Sequence, residues 1–88
     1  MEIKEIKKKS WPEHFQKILN GEKNFDLRLA DFELKKGDII IFEEYNPITK
    51  KYTGRTIKKI VKNLAKFNPA KAHSFDEISK FGFYEIEI

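Results

Sequence analysis

Cysteine is absent from this sequence. Disulfides, iron–sulfur clusters, thiolate zinc sites and cysteine nucleophiles are therefore excluded. Imidazole is scarce: His14 and His73 are the only two histidines, so a three-imidazole metal site is excluded as well. No metal or cofactor is expected. No run of about 18 apolar residues occurs, so no membrane-spanning helix is expected. The opening Met1-Glu2-Ile3-Lys4-Glu5 lacks a signal-peptide apolar region, and the expected compartment is the cytoplasm. Arginine is rare too, with Arg28 and Arg55 set against sixteen lysines. Acid is missing from one whole stretch: no Asp or Glu stands between Tyr45 and Phe75.

What is present fits one small folded domain spanning residues 1–88. Hydrophobic residues make up 40% of the chain and eight phenylalanines supply core material, which argues against disorder. The formal charge of +4 conceals a segregation. The acid-free stretch holds Lys50, Lys51, Arg55, Lys58, Lys59, Lys62, Lys66 and Lys71. A basic block of this kind suits an anionic partner such as nucleic acid; the plain alternative is a solvated lysine-rich face.

Along the chain, Ile3 to Lys9 reads as a short strand. Ser10-Trp11-Pro12-Glu13 has capping-box spacing and predicts a helix over about 12–20. Trp11, Phe15, Ile18 and Leu19 form its apolar stripe, and Gly21 suits the left-handed position after its end. Trp11 is accordingly read as core. His14 lies off the stripe and reads as an exposed helix residue, and His73 as a loop residue. From Lys23 to Leu29 the pattern alternates, with Phe25, Leu27 and Leu29 on one face and Asn24, Asp26 and Arg28 on the other. Lys36-Gly37-Asp38 is a turn signal before the β-branched strand Asp38 to Tyr45. Asn46 to Lys51 is a hairpin loop, and Tyr52-Thr53-Gly54-Arg55-Thr56 begins the return strand.

Residues 57–66 carry Ile57, Ile60, Val61 and Leu64 at helical spacing but are rich in β-branched side chains. A strand with a bulge near Lys58-Lys59 accommodates both features. Ser74-Phe75-Asp76-Glu77 predicts a short second helix, and Phe83 to Ile88 a last strand. The order β-α-β-β-β-α-β, with mostly antiparallel neighbours, predicts an α+β class and a small barrel.

Gly21-Glu22-Lys23-Asn24-Phe25-Asp26-Leu27-Arg28 resembles the G-x-K-x-x-E-x-R signature of ASCH domains in the PUA-like superfamily, with Asp26 in the glutamate slot. Trp11 to Phe15, Lys36-Gly37-Asp38-Ile39-Ile40, Glu44-Tyr45-Asn46-Pro47, Tyr52-Thr53-Gly54-Arg55 and Gly82-Phe83-Tyr84 resemble a small ASCH-related family as well. Ala30-Asp31 departs from it, since relatives often carry a polar pair there. The resemblance implies a PUA-like β-pseudobarrel with one main N-terminal helix and a short second one. It further implies a module that binds RNA or a modified nucleotide.

On this reading Lys23, Asp26 and Arg28 line a polar cleft, with Arg28 pointing into it and Asp26 beside it; the alternative is a salt bridge that pins strand to helix. Tyr45, Lys50, Lys51, Tyr52 and Arg55 form a basic, aromatic hairpin surface suited to stacking and phosphate pairing. The two tyrosines equally suit a cross-strand packing pair. Some small ASCH proteins are amidohydrolases acting on acylated cytidine through a lysine, a threonine and a glutamate. Lys23 matches the lysine, Asp26 replaces the threonine, and Glu43 or Glu77 could stand for the glutamate. That resemblance implies, as the alternative function, a nucleoside amidohydrolase with Lys23 and Asp26 as its catalytic pair.

Overall fold

In the computed structural model, residues 3–67 and 82–88 are described. They form β1 (Glu5–Ser10), α1 (Pro12–Leu19), β2 (Phe25–Leu29), β3 (Ile39–Asn46), β4 (Lys51–Ile60), β5 (Asn63–Phe67) and β6 (Phe83–Glu87). The strands make two three-stranded sheets, ordered β1-β3-β4 and β2-β6-β5. The class is therefore compatible with α+β, but among the described residues the sheets do not join into the closed barrel that was expected. Nor is every pair antiparallel: β1 runs parallel to β3, from Glu5 opposite Ile39 to Ser10 opposite Glu44. Parallel neighbours need a crossover, and α1, β2 and the loop after it supply one. The short helix expected from Ser74, together with His73 and Glu77, lies outside the described residues.

The core draws on both sheets and on the helix. Phe15 and Ile18 of α1 meet Ile40 and Phe42 of β3, Ile86 of β6 and Val61, all essentially inaccessible. Burying six such side chains contributes on the order of 1.5–3 kcal/mol each before the entropy of ordering is set against it.

Helix α1 begins at Pro12 as expected, but Ser10 does not cap it. Ser10 ends β1 and is buried, and Trp11 occupies the N-cap without a side-chain cap, with Pro12 next. Committing Ser10 to the parallel ladder removes it from the helix. The C-terminus is as expected. The Gly21 N–H donates to Ile18 O, the Glu22 N–H donates to Lys17 O, and Gly21 sits at φ +77°. This is a Schellman ending, which a residue with a Cβ adopts only at a cost.

Residues 57–66 are two strands, not one bulged strand. Ile57 to Ile60 pair regularly with Phe42 to Ile39, with no bulge at Lys58-Lys59. The chain then turns a corner at Val61-Lys62. The Val61 N–H donates to Asp38 O on the first-sheet side, and the Lys62 N–H donates to Glu87 O of β6 on the other. The two apolar phases belong to two sheets, which is why neither a helix nor a single strand accounted for them. A ladder irregularity does exist, but elsewhere: between Glu43 and Tyr45, where Thr53-Gly54-Arg55 of β4 oppose Glu44 alone. Gly54 at φ +93° makes this bulge possible.

Candidate functional site

Among the described residues strand β2 is an edge strand, and it turns its polar side inward. Asp26 and Arg28 pair in register with Ile86 and Tyr84, both core residues, while Phe25 and Leu27 lie opposite Glu87 and Glu85. Asp26 is buried, whereas Phe25 and Leu27 are 52% and 60% exposed. The alternation read from the sequence is present, with its burial the reverse of the usual apolar-in arrangement.

A buried carboxylate requires partners. Arg28 Nε donates to Asp26 Oδ2, and Lys23 Nζ lies 3.8 Å from Asp26 Oδ1. Arg28 Nη2 also donates to Lys9 O at 2.8 Å. Its guanidinium carbon lies 5.6 Å from the Phe42 ring centroid. Arg28 thus ties β2 of one sheet to β1 of the other. Lys23 Nζ stands 3.4 Å from Nδ1 of His14, a residue that sequence reasoning set aside. No single strand phase would bring Lys23 beside Asp26. The turn after α1 does so.

These side chains open on a cleft of about 800 Å³. Lys9, His14, Lys23, Asp26 and Arg28 supply its polar lining, and Trp11, Phe25, Leu27 and Phe67 its apolar walls. Glu85 adds a second carboxylate. Trp11, expected in the core, is 58% exposed here. Leaving the strand at the N-cap, its side chain follows the outward phase of β1 rather than the stripe of Phe15 and Ile18. Trp11, Phe25, Lys9 and Glu85 were missed as site residues; large apolar groups flanking the charged signature were the available signal.

The hairpin residues divide. Tyr45 and Tyr52 are register partners whose rings meet edge to face, centroids 5.1 Å apart. Lys50 and Lys51 are exposed at the hairpin tip. There the Asn46 side chain accepts the Ile48 N–H at 2.9 Å, and Lys50 takes φ +56°. Arg55 is engaged by protein. Its Nε and Nη2 donate to Glu44 Oε1 and Oε2 at 2.9 and 2.8 Å, and Nη2 also donates to Gln16 of α1 at 3.2 Å. The Thr53 hydroxyl donates to Glu44 Oε1 at 2.6 Å. The Arg55 and Thr53 hydrogen bonds lower the Glu44 pKa to about 2, and the same contact raises that of Arg55. Neither Arg55 nor Glu43 lines the cleft. Lys8 lies 3.6 Å from the Phe32 ring centroid beside a smaller hollow, and burial lowers its pKa.

The family model for a domain of unknown function, DUF3850, matches residues 5–75. The chain belongs to the DUF3850 family. No curated protein matches it. The DUF3850 match runs from β1 through β5, and so includes every cleft residue named above except Glu85. Strand β6, which holds β2 and β5 together, falls beyond the matched stretch. Among the described residues of this DUF3850 domain, no three His, Asp or Glu side chains gather as a metal site. No helix there is long and apolar enough to cross a membrane.

Proposed function

We propose that this DUF3850 domain is an ASCH-type, PUA-like module, in an open two-sheet form, that binds RNA or a modified nucleotide in the cleft beside Asp26. One observation carries the reading: Trp11 and Phe25 stand exposed next to the Lys23, Asp26 and Arg28 cluster. Flat apolar walls suit the faces of a base, and fixed donors and an acceptor suit its edge or a phosphate. The Gly21 to Arg28 signature and the acid-free stretch support the same reading.

The test is a titration with single-stranded and duplex RNA and with a panel of modified nucleosides, at about 50 and 200 mM salt. Trp11, the one tryptophan, reports directly through its fluorescence. Binding weakens as salt rises, because phosphate contacts release counterions. Absence of binding to every probe at low salt refutes the proposal.

A second reading, an amidohydrolase acting on acylated nucleosides, is favoured by one contact. Lys23 Nζ lies between His14 Nδ1 and Asp26 Oδ1, at 3.4 and 3.8 Å. An imidazole within reach of the amine offers it a partner for proton transfer. Turnover of acetylcytidine that disappears in Lys23→Ala supports it; turnover that survives the substitution removes it.

A further inference from the structure

On the outward face of the first sheet Tyr45 and Tyr52 pair across β3 and β4, and Trp11 of the cleft follows directly on β1. Lys9 and Ser10 of β1 lie opposite Glu43 and Glu44 of β3. Trp11, one residue past this ladder, is still extended at φ −66° and ψ 152°, and Tyr45 is the next residue after Glu44 on the neighbouring strand. Tyr45 faces Tyr52 on β4, an edge of that sheet among the described residues. With strands spaced about 4.8 Å apart, the tyrosine pair extends from the strand beside β1 to the β4 edge. Tyr52 at that edge is 51% exposed.

Lys9 belongs to both regions. It lines the cleft, and its ammonium lies 4.4 Å from the Tyr45 centroid and 5.9 Å from that of Tyr52. Among the described residues it forms no ion pair, although Glu43 is its register partner. A lysine resting on a tyrosine face gains a modest cation–π attraction, which a phosphate contact of the same ammonium can replace.

We infer that Trp11, Tyr45 and Tyr52 form a stacking row for single-stranded nucleic acid continuing out of the cleft, with Lys9 as the phosphate contact between cleft and row. The inference rests on the nucleotide-binding reading above. Every base offers a π-face, so such a row accepts a strand without reading its sequence. A duplex, whose bases are already stacked, cannot use it. Lys50 and Lys51 at the hairpin tip extend the positive potential past Tyr52.

The experiment titrates the full chain with oligoadenylates of about eight nucleotides, as RNA and as DNA, with a GC-rich RNA duplex of about twelve base pairs, and with adenosine monophosphate. Trp11 fluorescence and the anisotropy of a labelled strand are followed at two salt concentrations. The single strands quench Trp11 and bind more tightly than the mononucleotide and the duplex; the RNA and DNA arms show whether the 2′-hydroxyl contributes. Tyr52→Ala weakens strand binding at least about fivefold, and Tyr52→Phe restores it. Lys9→Ala reduces the logarithmic salt slope by about 0.7. Strand affinity unchanged in both Tyr52→Ala and Lys9→Ala, but weakened in Lys23→Ala, overturns the row and leaves the cleft reading standing. A duplex bound as tightly as the single strand also overturns the row. No binding of strand or mononucleotide overturns the row; the cleft reading falls with it only if the modified nucleosides also fail to bind.

Discussion

Arg55 grips Glu44 with two parallel hydrogen bonds, Nε to Oε1 at 2.9 Å and Nη2 to Oε2 at 2.8 Å. The carboxylate is buried, and the guanidinium is about half exposed and lies 4.9 Å from the Phe15 ring centroid. Through Gln16 the same arginine reaches α1. One of the two arginines therefore anchors the helix to the bulged hairpin, and the other, Arg28, ties the two sheets beside the cleft.

The Glu44 pair sets an acid limit on stability. Its carboxyl is lowered from 4.5 to about 2 in the folded chain, because Arg55 and Thr53 hydrogen-bond the ionised form. A depressed folded pKa adds stability above the unfolded value and loses it as pH falls through the folded one. The contribution is therefore complete above about pH 4.5 and disappears on the way down to about 2. Glu44→Gln is expected to cost about 1–2 kcal/mol at neutral pH, discounted for the exposed partner. The gap to the unsubstituted chain should close over that acid range in urea melts; a gap constant with pH refutes the assignment.

Gly54 has open space where a Cβ would stand, yet its φ of +93° is a conformation that side chains avoid. Gly54→Ala is expected to cost about 1 kcal/mol or more through the backbone alone, a fall in Tm of about 4–8 °C. Calorimetry decides it. An unchanged Tm would mean that the Thr53-Gly54-Arg55 bulge does not require this geometry.

Arg28→Lys addresses the tie between the sheets. A lysine ammonium cannot serve Asp26 and Lys9 O in the planar fork that a guanidinium provides. The substitution is expected to lower Tm by several degrees and, on the cleft reading, to weaken nucleotide binding about tenfold. Loss of stability with affinity retained would leave Arg28 as a brace and remove it from the binding site.

Trp11 and Phe15 make a contrasting pair four residues apart. Trp11 is largely exposed and Phe15 is 1% exposed. Phe15→Ala is expected to cost about 3–5 kcal/mol, close to unfolding so small a domain. Trp11→Ala should shift stability by about 0.5 kcal/mol at most while weakening nucleotide binding. Thermal melts of both variants, with binding measured on Trp11→Ala, separate core from wall.

Local chemistry was legible in the residues. The helix from Pro12, its glycine ending, the alternation of β2 and the hairpin at Asn46-Pro47 follow from nearest neighbours and period, and the strand character of residues 57–66 from their β-branched side chains. So does the grouping of Lys23, Asp26 and Arg28 within six positions. Tertiary structure decided what short-range pattern does not carry. Alternation in β2 does not say which face is buried; pairing with Ile86 and Tyr84 put the ions inside and Phe25 and Leu27 outside. Helical spacing in residues 57–66 arose because Val61-Lys62 passes from one sheet to the other, a change of environment that mimics a change of period. Trp11 left the core because β1 claimed Ser10 for the parallel ladder with β3, a partner more than thirty residues away. Arg55, one base in an acid-free stretch, was claimed by Glu44 across the bulge. Each outcome depended on which strand lies beside which, and that is settled by the burial of all the apolar faces together rather than by any segment alone.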